Sequence, residues 1–341
     1  MTKKKSNAPH RYELEKSPLF RLSNKKRLAE LLRVDLQVIA NLEKSGLATQ
    51  YNSFIDKKTR RHITEPVGDL AKVHRQLLRF FTRLSPPDYV HSAVKKRSYK
   101  TNAFAHRGSN SVIKIDIKKF FQSVKFDCIH AFFLSRLECA PDIATILAKL
   151  CVVKTEKYGV HLPTGSCISP ALSFLANQPL FDRISELSDS CGCVFTLYVD
   201  DITISGQAAN VELLNLVATE IFKRGYKYHK INVSDSPNPL ITGLIIKDGK
   251  LHLPHERARK IRDLIKLLGV SAGAKDKMLA SLVGRLSEAE QIEPRYKTLR
   301  LRIVSKYAAD WSKIVKNRTR KSRIARARRL AKATPRGGNQ S

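Results

Sequence analysis

Val194-Phe195-Thr196-Leu197-Tyr198-Val199-Asp200-Asp201-Ile202-Thr203-Ile204-Ser205-Gly206 reads as two β-strands joined by a tight turn that carries two adjacent carboxylates. Both arms are rich in β-branched and aromatic residues, which suit a pleated, half-buried surface. Upstream, Val112-Ile113-Lys114-Ile115-Asp116-Ile117 alternates with period two. Ile113, Ile115 and Ile117 share one face, and Lys114 and Asp116 the other. If the two segments are neighbours in one antiparallel sheet, Asp116, Asp200 and Asp201 converge at one point. Crowded carboxylates repel, and a divalent cation relieves the repulsion, so hard oxygen donors in a basic chain point to Mg²⁺. A plainer reading stands beside this one: Asp is a common turn residue, and Asp-Asp at a hairpin tip is ordinarily just a turn.

Around these strands the pattern is mixed. Apolar spacing through Leu28, Leu31, Leu32, Leu36, Ile39 and Leu42 predicts a helix within 17–46 that ends at Gly46. Residues 47–65 read as strand, basic turn and strand. A helical period over Asp69–Leu84 stops before Pro86-Pro87, and Val90–Ser111 looks irregular. Pro170 opens a helix to about Ser188. From His255 to Val304 the pattern is helical and basic. Residues 315–336 carry ten Lys or Arg, expected as one helix followed by disorder. Residues 1–11 are expected to be a loose basic terminus. The order of elements predicts an α+β core followed by a separate helical unit.

Charge narrows the partners. The 341 residues hold 63 Lys+Arg against 30 Asp+Glu, a net charge of +33. Such a chain repels itself unless a polyanion neutralises it; nucleic acid is the first candidate and an anionic membrane surface the second. With 42% hydrophobic residues a sizeable core forms, which excludes global disorder. No apolar run reaches the roughly 18 residues of a membrane span, and no secretory core follows Lys3-Lys4-Lys5. Cys128, Cys139, Cys151, Cys167, Cys191 and Cys193 form no CxxC, so reduced cysteines in a cytoplasm fit better than zinc or disulfides.

Three motifs in order then carry a family resemblance. Tyr198-Val199-Asp200-Asp201 resembles the YxDD box of reverse transcriptases. Ile115-Asp116-Ile117-Lys118-Lys119-Phe120-Phe121 resembles their first catalytic-aspartate motif, 84 positions upstream (200 − 116). Leu162-Pro163-Thr164-Gly165-Ser166-Cys167-Ile168-Ser169-Pro170 resembles the LPQG…SP segment between them. Two further segments resemble those of the retron reverse transcriptases of bacteria: Asn102-Ala103-Phe104-Ala105-His106 matches NAxxH, and Ile241-Thr242-Gly243 resembles VTG. The resemblance covers roughly residues 20–305.

It implies a right-hand polymerase fold: an N-terminal basic and helical segment 1–46, fingers and palm over 47–254 (the palm an antiparallel sheet with helices), a helical thumb over 255–314 and a basic tail over 315–341. Asp116, Asp200 and Asp201 are then the catalytic residues and the ligands of two Mg²⁺ ions. Lys58 and Arg61 stand in the segment resembling the fingers hairpin that grips the triphosphate; a solvated basic turn is the other reading. Phe121, five residues after Asp116, stands at the ribose gate that selects dNTPs, with adjacent Phe120 as rival, because one ring faces the site and the other the core. Thr164, Gly165 and Tyr198 are expected near the nucleotide, with Thr164 where many relatives have Gln. Asn232 aligns with a lysine that protonates pyrophosphate in relatives, and Lys230 is a substitute. Asn102, His106, Thr242, Gly243, Arg285 and Arg295 are expected to bind RNA.

The activity implied is that of a retron RNA-directed DNA polymerase in the cytoplasm. It reverse transcribes part of a cognate structured non-coding RNA, which is both template and primer, into a branched RNA–DNA product (msDNA), in defence against phage. Its partners are that RNA, the product, dNTPs and a toxic effector protein, without a membrane. A group II intron-like or other bacterial reverse transcriptase is the alternative within the enzymes. A non-catalytic RNA-binding scaffold of polymerase fold is the alternative outside them.

Overall fold

The computed structural model describes residues 11–46, 48–270 and 275–331. The expected loose terminus over 1–10 and the end of the basic tail, with Lys332 and Arg336, lie outside the described residues. The chain divides into two compact units, 1–242 and 243–341.

In the first unit, the single helix expected within 17–46 is two: α1 (Lys25–Leu32) and α2 (Leu36–Lys44). Asn24 caps α1, its Oδ1 accepting from the amides of Lys26 at 2.8 Å and Arg27 at 3.2 Å. Arg33 ends α1 in the left-handed conformation, at φ 56°. The break lets α1 pack on α3 (Gly68–Phe81) and α2 on α7 (Pro141–Cys151), two directions no straight helix serves. Between them, β1 (Tyr51–Ile55) and β2 (His62–Pro66) form an antiparallel hairpin, as the sequence predicted. The stretch expected to be irregular contains α4 (Tyr99–Ala105), started by a capping box of Ser98 and Thr101.

β3 (Ser111–Ile117) leads into a one-turn helix α5 (Phe120–Ser123) and then α6 (Phe126–Ala131). After α7 come a short hairpin of β4 (Val153–Thr155) and β5 (Gly159–His161) and the long α8 (Ser169–Ser190). The quoted hairpin is β6 (Val194–Tyr198) and β7 (Asp201–Ser205), followed by α9 (Val211–Lys223), β8 (Tyr228–Asp235) and β9 (Leu240–Ile241). The central sheet is antiparallel in the order β6-β7-β3-β8. Ile113, Ile115, Ile117, Leu197, Ile202 and Ile204 on one face are buried in the main core, together with residues of α8 and α9. Each such burial contributes about 1.5–3 kcal/mol, which fixes the register and leaves Lys114, Asp116, Thr196, Asp201, Thr203 and Ser205 on the other face.

The second unit begins with a hairpin, β10 (Leu244–Lys247) and β11 (Lys250–His252), turning at Asp248 and Gly249, both at positive φ. Among the described residues, the helices α10 (His255–Val270), α11 (Lys275–Ala289), α12 (Arg295–Lys306) and α13 (Ala308–Ala331) follow. Their core includes Leu253, Ile261, Leu279, Leu282, Leu286 and Ile303. This unit therefore starts before the expected boundary at 254/255, because Leu253 belongs to its core. No break falls at 315 either, since α13 runs through it. All six cysteines are free. Among the described residues, no helix is long and apolar enough to cross a membrane.

Candidate active site

The β6–β7 turn consists of Val199 and Asp200, with Tyr198 paired to Asp201 across it. On the other side of β7, Asp201 pairs with Asp116 of β3. Directly opposed residues on antiparallel strands point to the same face. The turn is tied to β3 by the amide of Ile117, which donates to the Asp200 carbonyl at 3.1 Å. One carboxylate oxygen from each of Asp116, Asp200 and Asp201 lies within 4.8 Å of the others. Burial, then the charges of Asp201 and Asp116, push Asp200 up to about 6. Burial and Asp116 raise Asp201 as well. This concentrated, hard, oxygen-only donor set suits a divalent cation such as Mg²⁺. Val199 holds φ 63°, a left-handed conformation that is strained for a β-branched residue.

Cations surround the trio. Arg61 lowers the Asp200 value, and Lys114 and Lys230 lower that of Asp201. Arg61 and Lys58 are exposed on the β1–β2 hairpin. Asp56 gathers that turn, its Oδ1 accepting from the amides of Lys58 at 3.2 Å and Thr59 at 2.6 Å and from the Thr59 hydroxyl at 2.7 Å. These bonds hold its carboxyl below the usual range. On β8, Lys230 stands opposite Asp116 and Asn232 opposite Lys114, so Lys230 rather than Asn232 is the neighbour of the carboxylates.

Two groups here were given no role by sequence reasoning. His229 Nδ1 lies 3.5 Å from Asp116 Oδ2. The register slips between Asp116 and Ile117, whose partners are Lys230 and Tyr228, so His229 is the extra residue of a β-bulge. Simple alternation turns His229 away from Lys230's face, and no sequence signal marks the bulge. Lys114 donates from Nζ to the Leu240 carbonyl at 2.9 Å. Its place two residues before Asp116, on the same face, was a usable signal.

Thr164 and Gly165 pack on β2. The Thr164 hydroxyl accepts from the Thr64 amide at 3.0 Å and donates to the His62 carbonyl at 2.9 Å. The Gly165 amide donates to Thr64 O at 2.9 Å, and a Cβ on Gly165 would lie 2.7 Å from Ile63 Cγ2 and 2.9 Å from Thr64 O. Close packing on β2 thus requires glycine at position 165. Next to it, Ser166 Oγ bonds His74 Nδ1 at 2.6 Å, and His74 Nε2 donates to Leu150 O at 2.7 Å. Burial keeps His74 neutral, lowered to about 4.

Phe120 and Phe121 lie on α5 rather than on a strand, so helical geometry separates them. Phe120 is in the core, edge-on to Phe181 and Tyr226, while Phe121 is half-buried. Tyr198 is half-buried beside the turn.

Asn102 and His106, expected to bind RNA, are both 0% exposed. α4 lies on β6, and His106 bonds Ser205 Oγ and Thr196 Oγ1, each at 2.7 Å, spanning the two strands of the catalytic-type hairpin. Burial, with His91 adding, lowers His106 to about 3. Thr242 is also engaged, its hydroxyl donating at 2.8 Å to the carbonyl of Tyr99, the first residue of α4. Thus Thr242 is tied to the start of the helix that carries Asn102. Gly243 sits at φ 75°, and a Cβ there would lie 2.7 Å from Arg257 Nη2. In the second unit, Arg285 is exposed, but Arg295 pairs with Glu293 at 2.7 Å and Arg300 with Glu290 at 2.7 Å. Acidic residues are scarce in the chain yet are placed beside these arginines.

Comparison with known proteins agrees with this geometry. Residues 24–236 match the family described as reverse transcriptase (RNA-dependent DNA polymerase). The chain is 26% identical over 226 residues to the Retron Se72 reverse transcriptase of Salmonella heidelberg, covering 61% of this chain and 57% of that one. It is 29% identical over 217 residues to the Retron Ec86 reverse transcriptase of Escherichia coli (60% and 64%). Against the Retron Mx162 reverse transcriptase of Myxococcus xanthus it is 27% identical over 297 residues (77% and 61%). The matches span about three fifths of the length of these relatives. A sheet that opposes Asp116 to Asp201, a turn that adds Asp200, and a family match over more than half of the chain lead to one statement: this chain belongs to the reverse transcriptase family.

Proposed function

We propose that the protein is a retron-type RNA-directed DNA polymerase, and the observation that carries this is the convergence of Asp116, Asp200 and Asp201 on one sheet face within a reverse transcriptase fold. Similarity to the retron reverse transcriptases supports the finer reading. The first unit then supplies fingers and palm, and α10–α13 the thumb and basic tail.

Asp116, Asp200 and Asp201 are the groups that would hold two Mg²⁺ ions. When bound, these ions would lower the cost of charge on an attacking hydroxyl and a leaving pyrophosphate. The chain's own residues do the rest. Lys58 and Arg61, on a hairpin shaped by Asp56, neutralise the incoming triphosphate and align it. Lys230, opposite Asp116, adds a positive charge where pyrophosphate charge builds up. Phe121 presents a bulky edge to the sugar and excludes a 2′-OH. Tyr198, Thr164 and Gly165 form the surroundings of the nucleotide, the last two by bracing β2. Exposed cations such as Arg285, Lys316 and Arg318 contact phosphates without reading sequence.

The substrates in this reading are dNTPs and a cognate non-coding RNA that is template and primer, the product is branched msDNA, and the setting is the cytoplasm, with an effector protein as further partner in phage defence. The test is to extract nucleic acid from the purified protein and to assay Mg²⁺-dependent primer extension on RNA. A branched, partly RNase-sensitive short DNA is the expected result. Extension without branched DNA would leave a reverse transcriptase of another kind, and RNA binding without extension would leave a scaffold.

A further inference from the structure

The turn that carries Asp200 is strained, and the structure holds a device that secures it. Val199, at φ 63°, donates its amide at 2.9 Å to the hydroxyl of Ser92, a residue only 7% exposed. Ser92 sits on a strap that runs beside β6: Leu197 N donates to Tyr89 O at 2.7 Å and His91 N to Leu197 O at 2.9 Å. The strap is itself fastened. Arg97 donates to the carbonyls of Pro87 and Val90 and to the Asp88 carboxylate, closing the loop on itself. His91 Nδ1 bonds Thr101 Oγ1 at 2.8 Å, which joins the strap to α4. Tyr89 donates its hydroxyl to Asp182 on α8.

A two-residue turn whose first residue is a left-handed valine relaxes toward negative φ unless something holds its amide. Such a rotation would swing Asp200 away from Asp116 and Asp201. We infer that Ser92 is a positioning residue: its hydroxyl clamps the Val199 amide, and the Arg97-closed strap carries that clamp. The role rests on the proposed polymerase reading only in its kinetic consequence; the clamp itself is a property of the fold.

The experiment uses the full chain with Ser92→Ala, Ser92→Thr and Arg97→Lys, and reads three quantities: amide exchange at residues 197–204, single-nucleotide addition kinetics, and the melting midpoint. Ser92→Ala is expected to speed exchange at Val199 about tenfold or more while the amides of Ile202 and Ile204 keep their rates. It is expected to lower kcat about tenfold with KM for the dNTP within about twofold, the effect of losing one buried hydrogen bond. Ser92→Thr restores both, and Arg97→Lys reproduces Ser92→Ala in milder form. The inference is overturned if exchange at Val199 is unchanged, if it rises without loss of kcat, or if protection falls across the whole sheet together with the melting midpoint. A parent chain that shows no synthesis would sink the polymerase reading, while the exchange arm would still report on the clamp.

Discussion

The polar face of the central sheet has two ends, built from the same strands. At the turn end, Asp116, Asp200 and Asp201 crowd together beside the left-handed Val199. At the other end, Thr196 and Ser205 lie under α4, where His106 bonds both hydroxyls. From Asp201 to Ser205 is four residues on one strand, about 13 Å at the usual rise. One end holds three crowded carboxylates, half-buried or exposed, with cations beside them; the other is sealed, neutral and hydrogen-bonded. Both are polar in sequence. What differs is the cover: an uncovered polar cluster is free to meet a ligand, whereas a covered one becomes a fastener that must satisfy itself internally.

The largest effect expected from breaking this contrast is at the turn. Asp200→Asn should lower DNA synthesis on the order of 10³-fold or more, by loss of a preorganised charge, with the fold and RNA binding retained. Mg²⁺-dependent primer extension measures it, and activity within about tenfold of the parent would sink the assignment. At the covered end the loss should be stability instead. His106→Ala leaves two buried hydroxyls without partners and should cost roughly 2–4 kcal/mol in denaturant unfolding. A variant as stable as the parent but poor in RNA binding would return His106 to the role expected from sequence.

The same contrast recurs between neighbouring rings. Phe121→Ala should relax discrimination against ribonucleotides by about 1–3 kcal/mol, or 10–200-fold, in competitive incorporation assays. Phe120→Ala should act mainly on unfolding. Swapped phenotypes would mean that α5 presents the other ring.

The smallest effect concerns pH, where the two ends have opposite signs. At the covered end His106 is depressed to about 3 from 6.5, as His74 on α3 is to about 4, so their contribution is fully present above pH 6.5 and is lost as pH falls toward those values. Asp200 is raised from 3.8 to about 6, so its ionisation weakens the fold progressively above pH 3.8 and fully above about 6. Without divalent cations, Asp200→Asn should therefore stabilise the protein at pH 7 by about 1–2 kcal/mol after solvent screening, and the gain should vanish near pH 4. Thermal melts across pH with a chelator present would show it; no gain at pH 7 would mean that neither burial nor the neighbouring carboxylates penalise the Asp200 charge.

Sequence alone determined the hairpin over 194–206, the strand bearing Asp116 and the polar face they share, because period-two alternation is a local property that burial of the isoleucines enforces. It also marked the carboxylates, since acidic residues are outnumbered about two to one by Lys and Arg in a chain of net charge +33. It left the break at Arg33 unread, because that break serves packing on two different helices. His229 was hidden for a similar reason: only pairing of β8 with β3 creates the bulge that turns it toward Asp116. Whether Asn102 and His106 face RNA or the core could not be read from their spacing, as a seven-residue helix offers polar residues to either side. The tertiary structure placed both in the interior, by laying α4 across β6, where the hydroxyls of Thr196 and Ser205 engage both nitrogens of the His106 imidazole.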